Sequence, residues 1–234
     1  MTTDHSGEPA SQDNEPDLKD FITLASYAET RLEAKKSIFI ARAVPVTNES
    51  EVEAALDACR KDYPDARHHV YGWRIGSDGR SYLQRYTDDG EPKGTAGLPV
   101  LDVLVKGEIT DALLIVTRYF GGVLLGTGGL VRAYGKAASG AVTQAGLVRM
   151  SQRISFLVRV PYAVYDAFTH WCAQFDVTME DAVFEVDVSL TVSLAPTQIE
   201  IFTSAIADFT GGRCVPERLG KQYVALPIDS RPPD

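Results

Sequence analysis

From Asp88 to Ala145 the chain reads as a turn-rich acidic stretch, an apolar strand, a glycine-rich loop and a helix in direct succession. Few folds accommodate that order. Leu113 to Val116 is an apolar run long enough for a buried strand and too short for a helix. Thr117, Arg118, Tyr119 and Phe120 follow, then Gly121-Gly122, then Gly126-Thr127-Gly128-Gly129. Beyond that point the apolar period changes. Leu130, Ala133, Tyr134, Ala137, Ala138, Ala141 and Ala145 recur at helical spacing, so one face of a helix is apolar and made mostly of alanine. A helix with so small a face packs close to its sheet.

Thr127 is placed to cap this helix, which leaves the amides of Gly128, Gly129 and Leu130 pointing out of the first turn. Glycines at that point let an anion or another backbone approach. Arg132 and Lys136 stand one turn apart on the opposite face, and Arg118 ends the preceding strand. A basic rim around a donor-rich helix start suits phosphate. The same glycines also serve a helix that simply packs tightly on a sheet, and spacing does not separate the two readings. No Gly-Lys-Ser/Thr closes the loop, and its glycine spacing differs from G-x-G-x-x-G, so it is neither a P-loop nor a dinucleotide fingerprint.

The stretches DDGEPKGTAGLPVL, VTRYFGGVLLGTGGLVRAYG, KKSIFIARAVPV and DARHHVYGWRIG resemble the YigZ/IMPACT family, over residues 21–146 and in the family's order. Residues 151–226 resemble, in order and pattern, the extra domain of the bacterial YigZ branch. The resemblance implies an α+β protein of two domains. The first is a ribosomal protein S5 domain 2-like α/β sandwich, and the second a ferredoxin-like βαββαβ domain similar to the last domain of elongation factor G. The eukaryotic IMPACT branch regulates translation by competing for an activator of an initiation-factor kinase. It carries a different companion domain, so that partner does not transfer to this chain.

Composition excludes several classes. No apolar run approaches the length of a membrane span, and no basic-then-apolar signal opens the chain, so the cytoplasm is expected. Cys59, Cys172 and Cys214 are far apart and odd in number, against a disulfide framework. The net charge is −9, but Asp4, Glu8, Asp13, Glu15, Asp17 and Asp20 crowd the start against Lys19 alone. Residues 1–17 are therefore expected to be a disordered acidic tail, and whole-chain charge says little about the surface near the glycines.

The expected domains are 18–148 and 149–228, with a frayed tail at 229–234. In the first, strands are expected over Phe21–Leu32 and Ser37–Val46, and a helix from the Asn48/Glu51 capping box to Pro64. Strands over His69–Ile75 and Arg80–Tyr86, a helix over Thr95–Val105, and the strand–glycine–helix unit complete it. Helices are expected on one face of a mostly antiparallel sheet. In the second domain Pro161 and Pro196 open helices, and Gly211-Gly212 stop the last one.

Arg67, His68, Arg74, Arg80 and Arg85 interleave with Tyr71, Trp73, Tyr82 and Tyr86, a pattern that stacks bases or covers a core. Asp88, Asp89 and Glu91 are weak metal candidates; carboxylates in such a turn more commonly cap a helix or pair with arginine. His68 and His69 point to opposite faces of their strand. The candidate anion and nucleic-acid site is thus Arg118, Gly121, Gly122, Gly126, Thr127, Gly128, Gly129, Arg132 and Lys136, with His68, Arg74 and Lys93. Neither a catalytic residue nor a cofactor is expected. The leading expectation is a non-catalytic protein of translation that binds structured RNA or a ribosome-associated factor. The alternatives are an enzyme or sensor for a small phosphorylated ligand at Gly126–Gly129, and a protein-interaction module.

Overall fold

The computed structural model describes residues 19–76, 82–180 and 182–228. The expected acidic tail, the first residues of the strand expected from Arg80, Asp181 and the end from 229 lie outside the described residues. The strand expected over Phe21–Leu32 is two strands, β1 (Phe21–Leu24) and β2 (Ala28–Ala34), which join different sheets. The bend between them is held by Ala25 N–H donating to the Gly146 carbonyl at 3.0 Å and by Ser26 Oγ–H donating to the Ala145 carbonyl at 3.1 Å.

A two-residue turn leads from β2 into β3 (Ser37–Pro45). Helix α1 (Glu49–Asp62) starts at the expected capping box. Glu51 N–H donates to Asn48 Oδ1 at 3.0 Å, and the Glu51 carboxylate reaches back to Thr47 N–H at 2.7 Å. That backbone donor is the main cause of the lowered Glu51 pKa. Strands β4 (His68–Ile75) and β5 (Leu83–Thr87), helix α2 (Gly97–Lys106), strand β6 (Ala112–Tyr119) and helix α3 (Thr127–Ala145) follow. The sheet order is β2-β3-β6-β4-β5, antiparallel throughout.

Helices do not cover one face only, as the pattern predicted. Leu113 and Ile115 of β6 turn toward α1, where Val52, Leu56 and Cys59 join Trp73 and Ile75. Ala112, Leu114 and Val116 turn the other way, onto α2 and α3. This is why β6 is apolar at consecutive positions: both of its faces are covered. The α3 face is the one expected, from Leu130 to Ala145, all buried. Tyr134 is the large exception in an alanine seam, and it meets Phe39 edge-on at 5.1 Å.

The second sheet gathers β7 (Leu147–Val160), β8 (Val177–Met179), β9 (Val183–Phe184), β10 (Val188–Leu194) and β11 (Glu217–Pro227). Its order β11-β7-β10-β8, with α4 (Tyr162–Cys172) and α5 (Ile199–Thr210) packed on one face, is the ferredoxin-like arrangement. Pro161 caps α4, Pro196 opens a short 3-10 turn ahead of α5, and Gly211 ends α5 in the left-handed region at φ 61°. Strand β1 pairs with residues 147–150 of β7, so the first strand among the described residues joins the second sheet. The boundary expected at 148/149 falls within β7.

Gly121 fixes how closely the β6 exit meets the β2–β3 turn. A Cβ there would stand 2.0 Å from the Lys36 carbonyl carbon. Backbone cannot yield cheaply, so Gly121→Ala is expected to cost about 2 kcal/mol or more and to lower Tm by roughly 5 °C. Thermal unfolding followed by circular dichroism checks this.

Candidate nucleic-acid interface

The start of α3 stands at the exit of β6, between the β2–β3 turn and the loop that carries Asp88 to Ala96. Thr127 is the first helical residue rather than the cap. Gly126 holds the cap position at φ 73°, a conformation glycine adopts without strain. Gly126, Thr127 and Gly128 are exposed, and a Cβ on Gly126 or Gly122 would meet nothing within 4 Å. The amides of Gly128 and Gly129 thus sit at an open helix start, but that of Leu130, expected to be free with them, donates to the Gly126 carbonyl at 2.9 Å.

Arg118 does not join them at the surface. Its side chain is 6 % exposed and pairs with Glu91, 5 % exposed, with Nη1 donating to Oε1 at 2.6 Å. Tyr134 Oη–H donates to the same oxygen at 2.7 Å, and Arg118 Nη2 donates to Ser37 Oγ at 3.3 Å. The guanidinium lies 5.5 Å from the Phe39 ring centre and 5.6 Å from that of Phe120. Its Nε is buried with no partner among the described residues. Arg118 is thus an internal cation that ties β6 to the acidic loop, because sharing a buried carboxylate is the arrangement that offsets its own desolvation. Burial first, and then the Glu91 carboxylate, raise the Tyr134 phenol well above its ordinary pKa.

The other acidic residues are committed as well. Asp88 accepts from the amides of Gly94, Ala96 and Gly97 at 2.7, 3.0 and 2.8 Å, which satisfies the start of α2. Asp89 accepts from His69 N–H through its carboxylate, and from His68 Nδ1–H through its carbonyl at 2.7 Å. Capping and pairing therefore use all three weak metal candidates. Among the described residues, three or more His, Cys, Asp or Glu nowhere gather as a metal site.

His68 and His69 do part to opposite faces. The His69 ring turns toward α1, its Nδ1 3.1 Å from Thr117 Oγ1, and burial lowers its pKa. Cys59 lies against the same hydroxyl at 3.3 Å, and burial raises its thiol. Arg74 stacks on Tyr82 at 3.7 Å from the ring centre. In the register of β4 with β6, His68 faces Arg118 and Arg74 faces Ala112, which puts Arg74 about 20 Å away along the strand. It does not share the glycine site. Trp73 of the basic-aromatic pattern is core.

Arg132 and Lys136 are exposed, and they line a cleft of about 250 Å³ between α3 and the β2–β3 turn. Leu32, Ala34, Leu125 and Ala133 floor it, and Lys35 and Glu33 stand on the far rim. Among the described residues, no carboxylate lies within ion-pair distance of Lys35, Lys36, Arg132 or Lys136. Lys93 is exposed in the loop before α2, whose Gly94 shares a second groove with Val131 and Gly135 of α3. Sequence reasoning left Lys35 and Lys36 out of the site, in the gap between the strands expected to end at Leu32 and to begin at Ser37. Both take positive φ, 47° and 67°, as a two-residue turn of this kind requires. The available signal was a pair of lysines where Asn-Gly is the favoured choice.

The model of the Impact N-terminal domain matches residues 35–142, and that of a domain of unknown function, DUF1949, matches residues 158–213. The IMPACT family member YigZ of Escherichia coli is 33 % identical over 77 % of this chain and 88 % of its own length. The Protein IMPACT homolog of Dictyostelium discoideum is 35 % identical over 43 % of this chain, which spans 29 % of that protein. A crystal structure described as a hypothetical protein aligns over 92 % of this chain and all of its own, with 29 % identity and a TM-score of 0.56. The structure of the two-domain translational regulator Yih1 covers 61 % of this chain and 54 % of its own at 28 % identity, with a TM-score of 0.34, too low to bear on the fold.

Removing one member of the buried pair leaves the other charged and alone. Glu91→Leu and Arg118→Met are each expected to cost about 3–5 kcal/mol, and the double replacement Glu91→Leu/Arg118→Met clearly less than their sum. Denaturant unfolding of the four proteins gives the cycle. Tyr134 adds a pH dependence. Its folded pKa is raised, so its stabilising effect is whole below the ordinary tyrosine value near 10 and is lost as pH climbs above it. Alkaline loss of stability is expected to be shallower in Tyr134→Phe.

Proposed function

The chain belongs to the IMPACT family, and from that premise we propose that it acts in the cytoplasm, in translation or its regulation, by binding structured RNA across the α3 start. The observation that carries this is the β2–β3 turn. Lys35 and Lys36 occupy both left-handed positions of a turn that glycine or asparagine would make with less strain. Strain kept at a site is a pointer to function, and here Lys35 lines the same cleft as Arg132 and Lys136, with Lys36 next to it in the turn and no carboxylate among the described residues within ion-pair distance of them. Three such cations along an open cleft, with Lys36 beside them in sequence, suit a run of phosphates. The outward amides of Gly128 and Gly129 add donors to the same face. Phe120, 51 % exposed at the mouth of the glycine loop, offers a ring for an unstacked base.

The small phosphorylated ligand is the weaker reading. Such a ligand needs charge directed at one enclosed point, and the cation nearest the strand end, Arg118, is buried against Glu91. The other cations lie along a surface.

Two substitution sets test the proposal. Arg132→Gln/Lys136→Gln should weaken a structured RNA regardless of its sequence. It should also flatten the salt dependence by about one unit of log–log slope for each phosphate no longer neutralised. Stability should move by less than about 0.5 kcal/mol, because both side chains are exposed. Lys35→Asn/Lys36→Gly gives opposite signs. The turn gains about 1 kcal/mol from residues that suit it, while RNA affinity falls. Fluorescence anisotropy across a salt series, with melting curves, reads both. Unchanged affinity and slope in folded variants would return the cleft to packing.

A further inference from the structure

The cleft beside α3 gathers several cations that have no ion-paired carboxylate among the described residues, and the chain itself carries a counterpart. Residues 1–18 hold Asp4, Glu8, Asp13, Glu15 and Asp17, and no lysine or arginine. We propose that this acidic leader docks in the basic cleft lined by Lys35, Arg132 and Lys136, where it occupies the surface that RNA phosphates would take. The inference rests on the reading of that cleft as a polyanion site.

Three observations support it. The first is where the leader begins. Lys19 and Asp20 are pinned: the Lys19 carbonyl accepts from Tyr223 Oη–H at 3.0 Å, and the Asp20 carboxylate accepts from Ser151 Oγ–H at 3.1 Å and Gln152 N–H at 3.2 Å. Beyond the short β1, Ser26 Oγ–H meets the Ala145 carbonyl at the C-terminal end of α3. The leader therefore leaves the body about the length of β1 away from the C-terminal end of that helix.

The second is reach. Arg132 and Lys136 lie on the same helix, roughly 14 to 20 Å from Ala145 at 1.5 Å per residue. With the length of β1 added, the leader's origin is about 30 Å from the cleft, and an extended chain of that length spans up to about 60 Å. The span is covered with residues to spare.

The third is charge. The cleft has one carboxylate on its rim, Glu33, against Lys35, Arg132 and Lys136, with Lys36 beside them. A tethered segment meets such a cleft at an effective concentration near the millimolar range, so even weak attraction between opposite charges populates the docked state. Salt weakens it as it weakens RNA binding, because both depend on the same exposed charges.

The test keeps the full chain. One variant replaces the five leader carboxylates by amides (D4N, E8Q, D13N, E15Q, D17N), a second carries R132Q and K136Q, and a third carries both sets. RNA affinity of the leader variant is expected to rise roughly tenfold at low salt, with the gain fading as salt is raised. In the R132Q/K136Q background the same five changes should give little gain. An equal gain in both backgrounds would mean diffuse repulsion between leader and RNA, and would overturn docking.

A readout without RNA separates this inference from the proposal it rests on. Carbodiimide coupling of carboxylates to amines, mapped by mass spectrometry on the monomer band, should join a leader carboxylate to Lys35, Lys36 or Lys136. Such links in a chain that binds no RNA would leave docking standing and remove RNA as the competitor. RNA binding with no such links would leave the RNA face standing and overturn docking. Links confined to a dimer band would overturn it as well, because the leader would then belong to another molecule.

Discussion

A single buried carboxylate oxygen organises the first half of the molecule. Glu91 Oε1 accepts from Arg118 on β6 and from Tyr134 on α3, while its loop carries Asp88 to the start of α2. Strand, loop and two helices thus converge on one charge. A carboxylate so nearly covered is tolerable only when its partners are fixed, and each partner belongs to a different element. The alanine seam of α3 brings the helix near enough to the sheet for Tyr134 to reach. The close pass of Gly121 against Lys36 then sets where the chain leaves β6. The open glycine start of α3 is held in place by this arrangement.

That network also explains what was and was not legible in the sequence. The α3 face, the capping box at Asn48 and the βαββαβ order were readable because each is written in a local period or a short spacing. The role of Arg118 was not, because its partner lies on a loop 27 residues upstream and nothing in the spacing fixes which carboxylate turns inward. From sequence, Arg118 and Arg132 look alike, each an arginine near the glycines. Burial separates them: one is a structural cation and the other stands at the surface. The covering of both sheet faces was hidden for a related reason. A continuous apolar run in β6 signals a buried strand without saying which helix lies on which side. The joining of β1 to the last sheet needs a register between residues more than a hundred positions apart.

The turn at Lys35 and Lys36 escaped the sequence for a different reason. A polar connection between two strands is the ordinary interpretation, and composition agrees with it. Only the backbone conformation shows that these are unfavourable residues for their positions. The geometric demand of a two-residue turn falls on residues chosen for another property, and the stability needed to hold them comes from the packed sheet on one side and Gly121 on the other. Preference and placement disagree here, and such disagreement is most informative where a site is exposed and charged.

The charge of the whole chain pointed away from polyanions, yet the local field at the cleft does not. Screening limits the reach of a surface charge to about 8 Å at physiological salt, so a phosphate at α3 feels Arg132, Lys136 and Lys35 and little of the distant acidic surface. Counting charges over the sequence adds groups that never act together. The acidic leader is the exception, because a tether can bring its carboxylates within that range. Docking of the leader as proposed would neutralise the basic face without any change in the fold.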